Sequence, residues 1–368
     1  MRQENIGTDY NAIIRGYEQK GYIHKVDITE ETKPDGRVWF LPHFPVYRSE
    51  KTTTKTRIVF DASAKYRGIS LNDMILSGPK LQSSLFDVLM RFRRYPIAVA
   101  CDIREMYLQI RIPPQDRSYF RFLWRVLELN RRPDVYEFER VVFGDASAQF
   151  RAQFVAQENA QRHKATFPLA AETVGKSTYM DDSLDSTKTE EEAIELYRQL
   201  NGLWNLAGMQ PRKWLSNSSR VLEKIPCEKR AAEIDLERGS IPSIKTLGVL
   251  WSAREDMFSF QVEMASHAQL TKRSILRRVA KVFDPLGFVS PFVLRAKILL
   301  QELWTQGIGW DDPIAAETHR HADNWLNELE DLQTVKIPRC LLNSSDVKSV
   351  TVHTFVEASK DAFSRQLP

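Results

Sequence analysis

Cysteine is scarce in this chain: Cys101, Cys227 and Cys340 are widely separated, odd in number and in no metal-ligand spacing. That pattern excludes a disulfide-stapled secreted scaffold and suits a reducing intracellular compartment. Long apolar runs are missing too. The longest, near residues 286–300, is interrupted by Arg295 and Lys297, so it does not read as a membrane span. The N-terminal stretch Met1-Arg-Gln-Glu-Asn-Ile-Gly-Thr8 is polar and lacks the apolar core of a signal peptide. There is no internal repeat and no low-complexity tract. Charge of neither sign dominates: 52 Lys and Arg face 48 Asp and Glu, a net +4. This mild basic bias permits nucleic-acid binding without establishing it. What remains is the composition of an ordinary globular protein, 42% hydrophobic and 27% charged over 368 residues. That length suits two or three domains of about 100–200 residues each.

The most informative feature is acidic. Residues 178–186 read Thr-Tyr-Met-Asp-Asp-Ser-Leu-Asp-Ser, with Asp181 and Asp182 between two short alternating stretches. Adjacent carboxylates repel, and a fold tolerates them at an exposed turn or beside a cation. The pattern predicts a β-hairpin with the acids at or next to its tip. Upstream, Ile97-Ala-Val-Ala-Cys-Asp-Ile103 is an apolar run suited to a buried strand ending on Asp102. A carboxylate there is costly unless it faces a site at the sheet edge. Three carboxylates on neighbouring strands could hold two divalent ions about 3.5–4 Å apart, an arrangement suited to in-line phosphoryl displacement. Taken singly, each acid also reads as a solvated turn or a strand-end cap.

Around these acids the periodicity predicts a mixed architecture. Residues 9–26 read as a helix ending at Gly21 followed by a strand, and 29–37 as a polar turn. Val38–Tyr47 and Thr56–Ala62 read as strands joined by the basic loop 48–55. Ser84–Arg94 has helical spacing, with Leu85, Val88, Leu89 and Phe92 on one face. Arg117–Val126 and Val135–Phe143 read as strands, and Ser147–Arg162 as a helix. Thr189-Glu-Glu-Glu192 has capping-box spacing ahead of a helix whose stripe is Ala193, Leu196, Leu200, Leu203, Trp204 and Ala207. Strands near 243–262 then give way to basic helical segments at 268–283 and 290–305.

Tyr179-Met-Asp-Asp182 resembles the central motif of reverse transcriptases, and Ala100-Cys-Asp-Ile-Arg-Glu-Met-Tyr-Leu-Gln-Ile110 resembles their first aspartate motif. Four further stretches are similar to the polymerase region of BEL/Pao-type LTR retrotransposons. These are Leu41-Pro-His-Phe-Pro-Val-Tyr-Arg48, Arg57-Ile-Val-Phe-Asp-Ala-Ser-Ala-Lys65, Phe120-Arg-Phe-Leu-Trp-Arg125 and Phe283-Asp-Pro-Leu-Gly287. The resemblance runs through roughly residues 10–360. It implies an α+β right-hand polymerase fold: fingers and palm over 1–215, a thumb or connection region over 216–345, and an incomplete RNase H strand over 346–368. It implies an RNA-directed DNA polymerase that extends a primer with dNTPs on an RNA or DNA template. Asp102, Asp181 and Asp182 would then hold two Mg²⁺, or Mn²⁺.

The same resemblance implies roles for other residues. Tyr107, five residues after Asp102, corresponds to the bulky aromatic that excludes a 2′-hydroxyl; otherwise it is a core residue. Arg57 corresponds to the fingers arginine that grips the triphosphate, with Lys51 and Lys55 as candidates for a second contact. Lys213, in Pro211-Arg-Lys-Trp214, corresponds to a lysine near the leaving pyrophosphate; equally it reads as a surface charge beside a buried Trp214. Phe143-Gly144 resembles the turn opening a template-contacting helix. Gln149 departs from the family there by standing where a proline is expected.

In the C-terminal part, Arg273, Arg277 and Lys281 recur every four residues, while Leu276, Val279 and Phe283 form a different face. A helix with one basic and one apolar stripe suits a thumb lying along a duplex backbone. Val350-Thr-Val-His-Thr-Phe-Val-Glu-Ala-Ser-Lys360 looks like the first strand of an RNase H domain, with Glu357 where the family has aspartate. The remaining acids of that site are not in the sequence, so RNase H activity is not expected, and no Asp-Thr/Ser-Gly protease motif occurs. Two alternatives stay open. One is a catalytically inactive remnant that still binds nucleic acid. The other is an RNA-dependent RNA polymerase, which would not need Tyr107 as a gate. The expected setting is intracellular, without a membrane, beside other parts of a retrotransposon polyprotein.

Overall fold

The computed structural model describes residues 4–27, 38–47, 56–128, 130–236, 243–262, 270–342, 349–351, 353–358 and 363–366. In chain order the elements begin with α1 (Glu4–Gln19), β1 (Ile23–Lys25), β2 (His43–Tyr47), β3 (Thr56–Phe60), α2 (Leu71–Met74) and α3 (Leu85–Phe92). Next come β4 (Ile97–Ile103), β5 (Arg121–Trp124), β6 (Asp134–Phe138), α4 (Ala148–Arg162), α5 (Pro168–Lys176), β7 (Thr178–Tyr179) and β8 (Asp182–Thr187). Then follow α6 (Glu190–Leu206), β9 (Pro211–Ser216), α7 (Ser219–Glu223), β10 (Ser243–Thr246), β11 (Val249–Ser252) and β12 (Met257–Ser259). The last are α8 (Lys272–Val279), α9 (Ser290–Thr305), α10 (Ala316–Leu329), β13 (Ile337–Pro338), β14 (Phe355–Ala358) and β15 (Phe363–Gln366). The structure is thus mixed α and β with small sheets.

The chain divides into two compact units interleaved in sequence. One takes Met1–Gln82, Ile103–Val174 and Leu200–Gln210; the other takes Ser83–Asp102, Gly175–Gln199 and Pro211–Pro368. In the first, β1, β6 and β5 form a three-stranded antiparallel sheet, and β2 pairs with β3. Its core is aromatic: Phe60, Phe122 and Phe138 meet at ring separations of 4.8–5.4 Å, two of the three contacts edge-on. Edge-to-face pairs set the ring quadrupoles against one another favourably. Strand β5 is shorter than the sequence suggests. Pro114 opens a 3₁₀ turn over Pro114–Tyr119, so pairing begins only at Arg121.

The second unit holds a four-stranded sheet in the order β7-β8-β4-β9 and another in the order β10-β11-β12-β13. Ser84 caps α3 by accepting the Asp87 N–H, and Val88, Leu89 and Phe92 on one face of that helix are buried. They pack with Ala98 and Ala100 of β4, Leu184 of β8, Leu215 of β9, and Trp251 and Phe258. Ala98 and Ala100 alternate along one face of β4 and belong to this core. Helices α8, α9 and α10 enclose a separate core of Ile275, Val279, Leu299, Leu303, Trp325 and Leu329.

Arg339 ties the β13 end of the chain to the turn between α3 and β4. It is fully buried, and every guanidinium donor has an acceptor. Nε and Nη2 reach the Asp256 carboxylate at 2.6 and 2.8 Å. The others reach the carbonyls of Phe92, Tyr95 (2.9 Å) and Pro96 (2.7 Å). Arg93 answers in the other direction, donating to the Arg339 carbonyl at 3.1 Å.

Candidate active site

β8 runs antiparallel to β4 in a register that sets Asp182 directly opposite Asp102. Side chains opposite one another share a face, so both acids sit at the end of the face that carries Ala98, Ala100 and Leu184. Thr178 pairs with Ser183 and Tyr179 with Asp182, which leaves Met180 and Asp181 as the two-residue tip of the hairpin. Met180 has φ +56°, a left-handed conformation that two-residue hairpin turns demand and a non-glycine residue adopts at a cost. All three acids belong to the second unit.

Like charges directly opposite across a ladder destabilise it. Asp182 carries the strain: burial first, then the carboxylates of Asp181 and Asp102, push its carboxyl up to about 7 against a lowering pull from Lys213. The buried Cys101 thiol beside them is raised by its burial and by the same Asp182 and Asp102 charges, so it stays protonated. Asp102 is held from β9, with Arg212 Nε 3.1 Å from Oδ1 and Lys213 Nζ 3.0 Å from Oδ2.

Adjacent residues of a regular strand point to opposite faces, so both should not reach one carboxylate. Lys213 has φ +52°, and this left-handed residue breaks the alternation. Lys213 therefore grips Asp102 itself, while Trp214 beside it is fully buried with its ring 4.8 Å from Tyr197. Arg212 was not among the residues expected from sequence. The adjacent bases of Pro211-Arg-Lys-Trp214 were a signal, but the backbone turn that brings them together was not visible.

Tyr107, Arg57, Phe143 and Gly144 lie in the first unit. Tyr107 sits half-buried on the 3₁₀ turn Met106–Gln109, its ring 4.7 Å from that of Phe143. Gly144 has φ +99°, and a Cβ there would meet the Phe60 carbonyl oxygen at 2.6 Å, so only glycine fits. Ahead of α4, buried Asp145 accepts from the Ser147 N–H and from Arg151. Gln149 is exposed in the first helical turn, which forms without proline. Arg57 is exposed on β3. Lys51, Lys55 and the polar turn 29–37 lie outside the described residues.

The basic stripe differs from its expectation. α8 ends at Val279, so Lys281 and Phe283 fall beyond the helix, and the buried residues of its face are Ile275 and Val279. Leu276 and Phe283 are exposed instead. Arg273 forms a two-pronged pair with Asp311 at 2.8 and 2.9 Å. Glu357 lies on β14, paired with β15.

Hard carboxylate oxygens crowded into mutual repulsion are the donor chemistry a divalent cation neutralises, and in that sense Asp102, Asp181 and Asp182 fit Mg²⁺. As the side chains stand, no three His, Cys, Asp or Glu among the described residues are grouped to hold a metal. Both oxygens of Asp102 are engaged, by Arg212 and Lys213.

Residues 271–367 match the family model of the Pao retrotransposon-like RNaseH-like domain. The match supports a Pao-type retrotransposon protein with an RNaseH-like domain at its C-terminal end and a nucleic-acid-processing role. No curated protein matches the chain. Among the described residues no helix is long and apolar enough to cross a membrane.

Proposed function

We propose that the chain is an RNA-directed DNA polymerase of the BEL/Pao type, extending a primer with dNTPs. One observation carries the reading: Asp182 stands opposite Asp102 across β4 and β8, with Asp181 in the adjoining turn, and burial together with the neighbouring carboxylates raises the Asp182 carboxyl. These residues would hold two Mg²⁺, which would supply Lewis acidity to a primer hydroxyl and to a triphosphate. Lys213 and Arg212 hold the Asp102 carboxylate from β9 and so fix its orientation. A triphosphate arriving there brings negative charge that competes for the same two cations. Lys213 would then turn to the leaving phosphate, where its ammonium can protect departing charge. Tyr107, braced by Phe143, would exclude ribonucleotides through the bulk of its ring.

The test is primer extension by the purified chain on RNA and DNA templates, with Mg²⁺ and either dNTPs or rNTPs. Incorporation of dNTPs that vanishes in Asp102→Asn supports the reading, and a folded protein that extends nothing overturns it. A second reading is favoured by the double grip of Arg212 and Lys213 on Asp102: an inactive protein that only binds nucleic acid. Template–primer binding without incorporation, in the presence of Mg²⁺ or Mn²⁺, would select it.

A further inference from the structure

The first unit contains a concentration of arginines that the proposed chemistry does not use. Arg111 and Arg140 face each other in an antiparallel bridge, flanked by hydrogen bonds from Ile112 N–H to the Glu139 carbonyl (2.8 Å) and from Val141 N–H to the Ile110 carbonyl (2.9 Å). Those bonds make the arginines a non-hydrogen-bonded pair, the kind whose Cα atoms lie about 4.5 Å apart with side chains close on one face. The charge of Arg117 bears on Arg140 as well, and Arg117 also donates to the Ile112 carbonyl at 3.1 Å. Arg111 and Arg117 thus both act on Arg140.

Countercharge is short. Glu139 lies 3.5 Å from Arg117 and shares its carboxylate with His24 at 3.1 Å. Glu105, reached through Tyr22, is held by Lys20 at 2.8 Å. Glu137 is taken by Arg121 at 2.7 Å. Among the described residues no carboxylate pairs with Arg111, which is exposed. Arg140 donates to the Gln109 carbonyl at 3.2 Å, but its buried Nε has no acceptor. Burial and the neighbouring Arg111 work against the charged form of Arg140, and the Glu139 carboxylate works for it. Like charges opposed across a bridge cost stability, so the arrangement is built for something other than the fold.

We propose that Arg111, Arg117 and Arg140 form a seat for backbone phosphates of single-stranded nucleic acid. Planar guanidinium forks match phosphate oxygens in pairs, and an anion here would satisfy the Arg140 donor and relieve the Arg111–Arg140 repulsion together. Exposure of Arg111 leaves the seat open on one side, as a passing strand requires. The nucleic-acid-processing character of the C-terminal match gives such a strand its source. Because the contact is to phosphate, it reads charge and not sequence. It does not rest on the carboxylates of the second unit.

The test is fluorescence anisotropy on the full chain with labelled oligothymidylate and a mixed-sequence oligonucleotide, over a salt series in EDTA, where metal-dependent chemistry is absent. Arg111→Gln should weaken both oligonucleotides several-fold and flatten the slope of log K against log salt by about 0.7. Arg111→Lys should keep most of the slope. Arg111→Gln and Arg140→Gln should also raise the melting midpoint of the free protein, which a structural role would not do. If Arg140→Gln fails to fold, Arg111→Gln, on the exposed side, decides alone. An unchanged slope in Arg111→Gln overturns the proposal. Displacement of the oligonucleotide by tripolyphosphate at lower concentration than the oligonucleotide itself would overturn the backbone assignment.

Discussion

At Arg339 a fully buried charge finds an acceptor for every donor, whereas at Asp102 and Asp182 two carboxylates are set against each other with a third in the adjoining turn. Both clusters touch strand β4 or the turn leading into it. The difference is between charge that is paired throughout and charge that is left opposed. A buried ion that is paired and hydrogen-bonded throughout leaves nothing for a ligand to do. A cluster whose like charges are left in contact is stable only because the surrounding fold outweighs it, and a ligand of opposite sign gains from that repulsion. Arg212 and Lys213 relieve the acids partially, while the Asp182 carboxyl still lies far above its ordinary range.

The largest effect belongs to the fully paired cluster. Arg339→Leu leaves half-buried Asp256 with only the Trp251 indole N–H and takes the guanidinium from the carbonyls of Phe92, Tyr95 and Pro96, of which Pro96 keeps Asn217; it should cost roughly 3–5 kcal/mol of unfolding free energy. Urea denaturation of the full chain measures it. A loss under about 1 kcal/mol would show that the clasp is no structural keystone.

At the strained end the signs reverse. Asp182→Asn removes one of the opposed charges and should stabilise the metal-free protein by roughly 1–3 kcal/mol at pH 8, since one unit of displaced pKa corresponds to about 1.4 kcal/mol. Primer extension should fall about 10²–10³-fold in the same variant, by analogy with removal of one electrostatic stabiliser. Stability and activity must move in opposite directions. A variant that lost both would make Asp182 a structural residue.

How far the sequence reveals this contrast depends on how local each signal is. The strand carrying Asp102, the hairpin at Met180–Asp181 and helices α3 and α4 follow from periodicity and turn chemistry within a few residues, and the structure has them where the pattern puts them. The box at Thr189 is half formed: Thr189 caps the Glu192 N–H, but Glu192 reaches the Lys188 N–H instead of that of Thr189. Helix α10 gave no warning, since Ala315 at its start offers no capping side chain. The Arg339 clasp was illegible for another reason, its partners being Asp256 and residues 92–96, far away in sequence. Pairings of that range appear only when the chain has folded.

In the first unit Tyr107 is only partly engaged by its neighbours. Its ring is braced by Phe143 and half-exposed, so truncation should cost the fold little and the chemistry its selectivity. Tyr107→Val should narrow the preference for dNTPs over rNTPs by about 10–100-fold in kcat/KM. Undiminished selectivity would return Tyr107 to an ordinary packing role.

The smallest effects belong to the exposed charges of α8, where the satisfied and unsatisfied cases lie on one helix. Arg273 is already engaged by Asp311, while among the described residues Arg277 has no ion pair. A phosphate must displace Asp311 to gain Arg273 but meets no such rival at Arg277. Arg277→Gln should therefore flatten the salt dependence of template–primer binding by the full 0.7–0.9 or so expected per phosphate contact. Arg273→Gln should flatten it by less, and Asp311→Asn should increase affinity at low salt by freeing Arg273. Each change should be the same for every sequence, because phosphate contacts carry no base information. Equal slopes for the two arginine variants would show that the Asp311 pair does not compete. No change in either would make the stripe a solvated face, and the arginines at 111, 117 and 140 would be left as the better seat for nucleic acid.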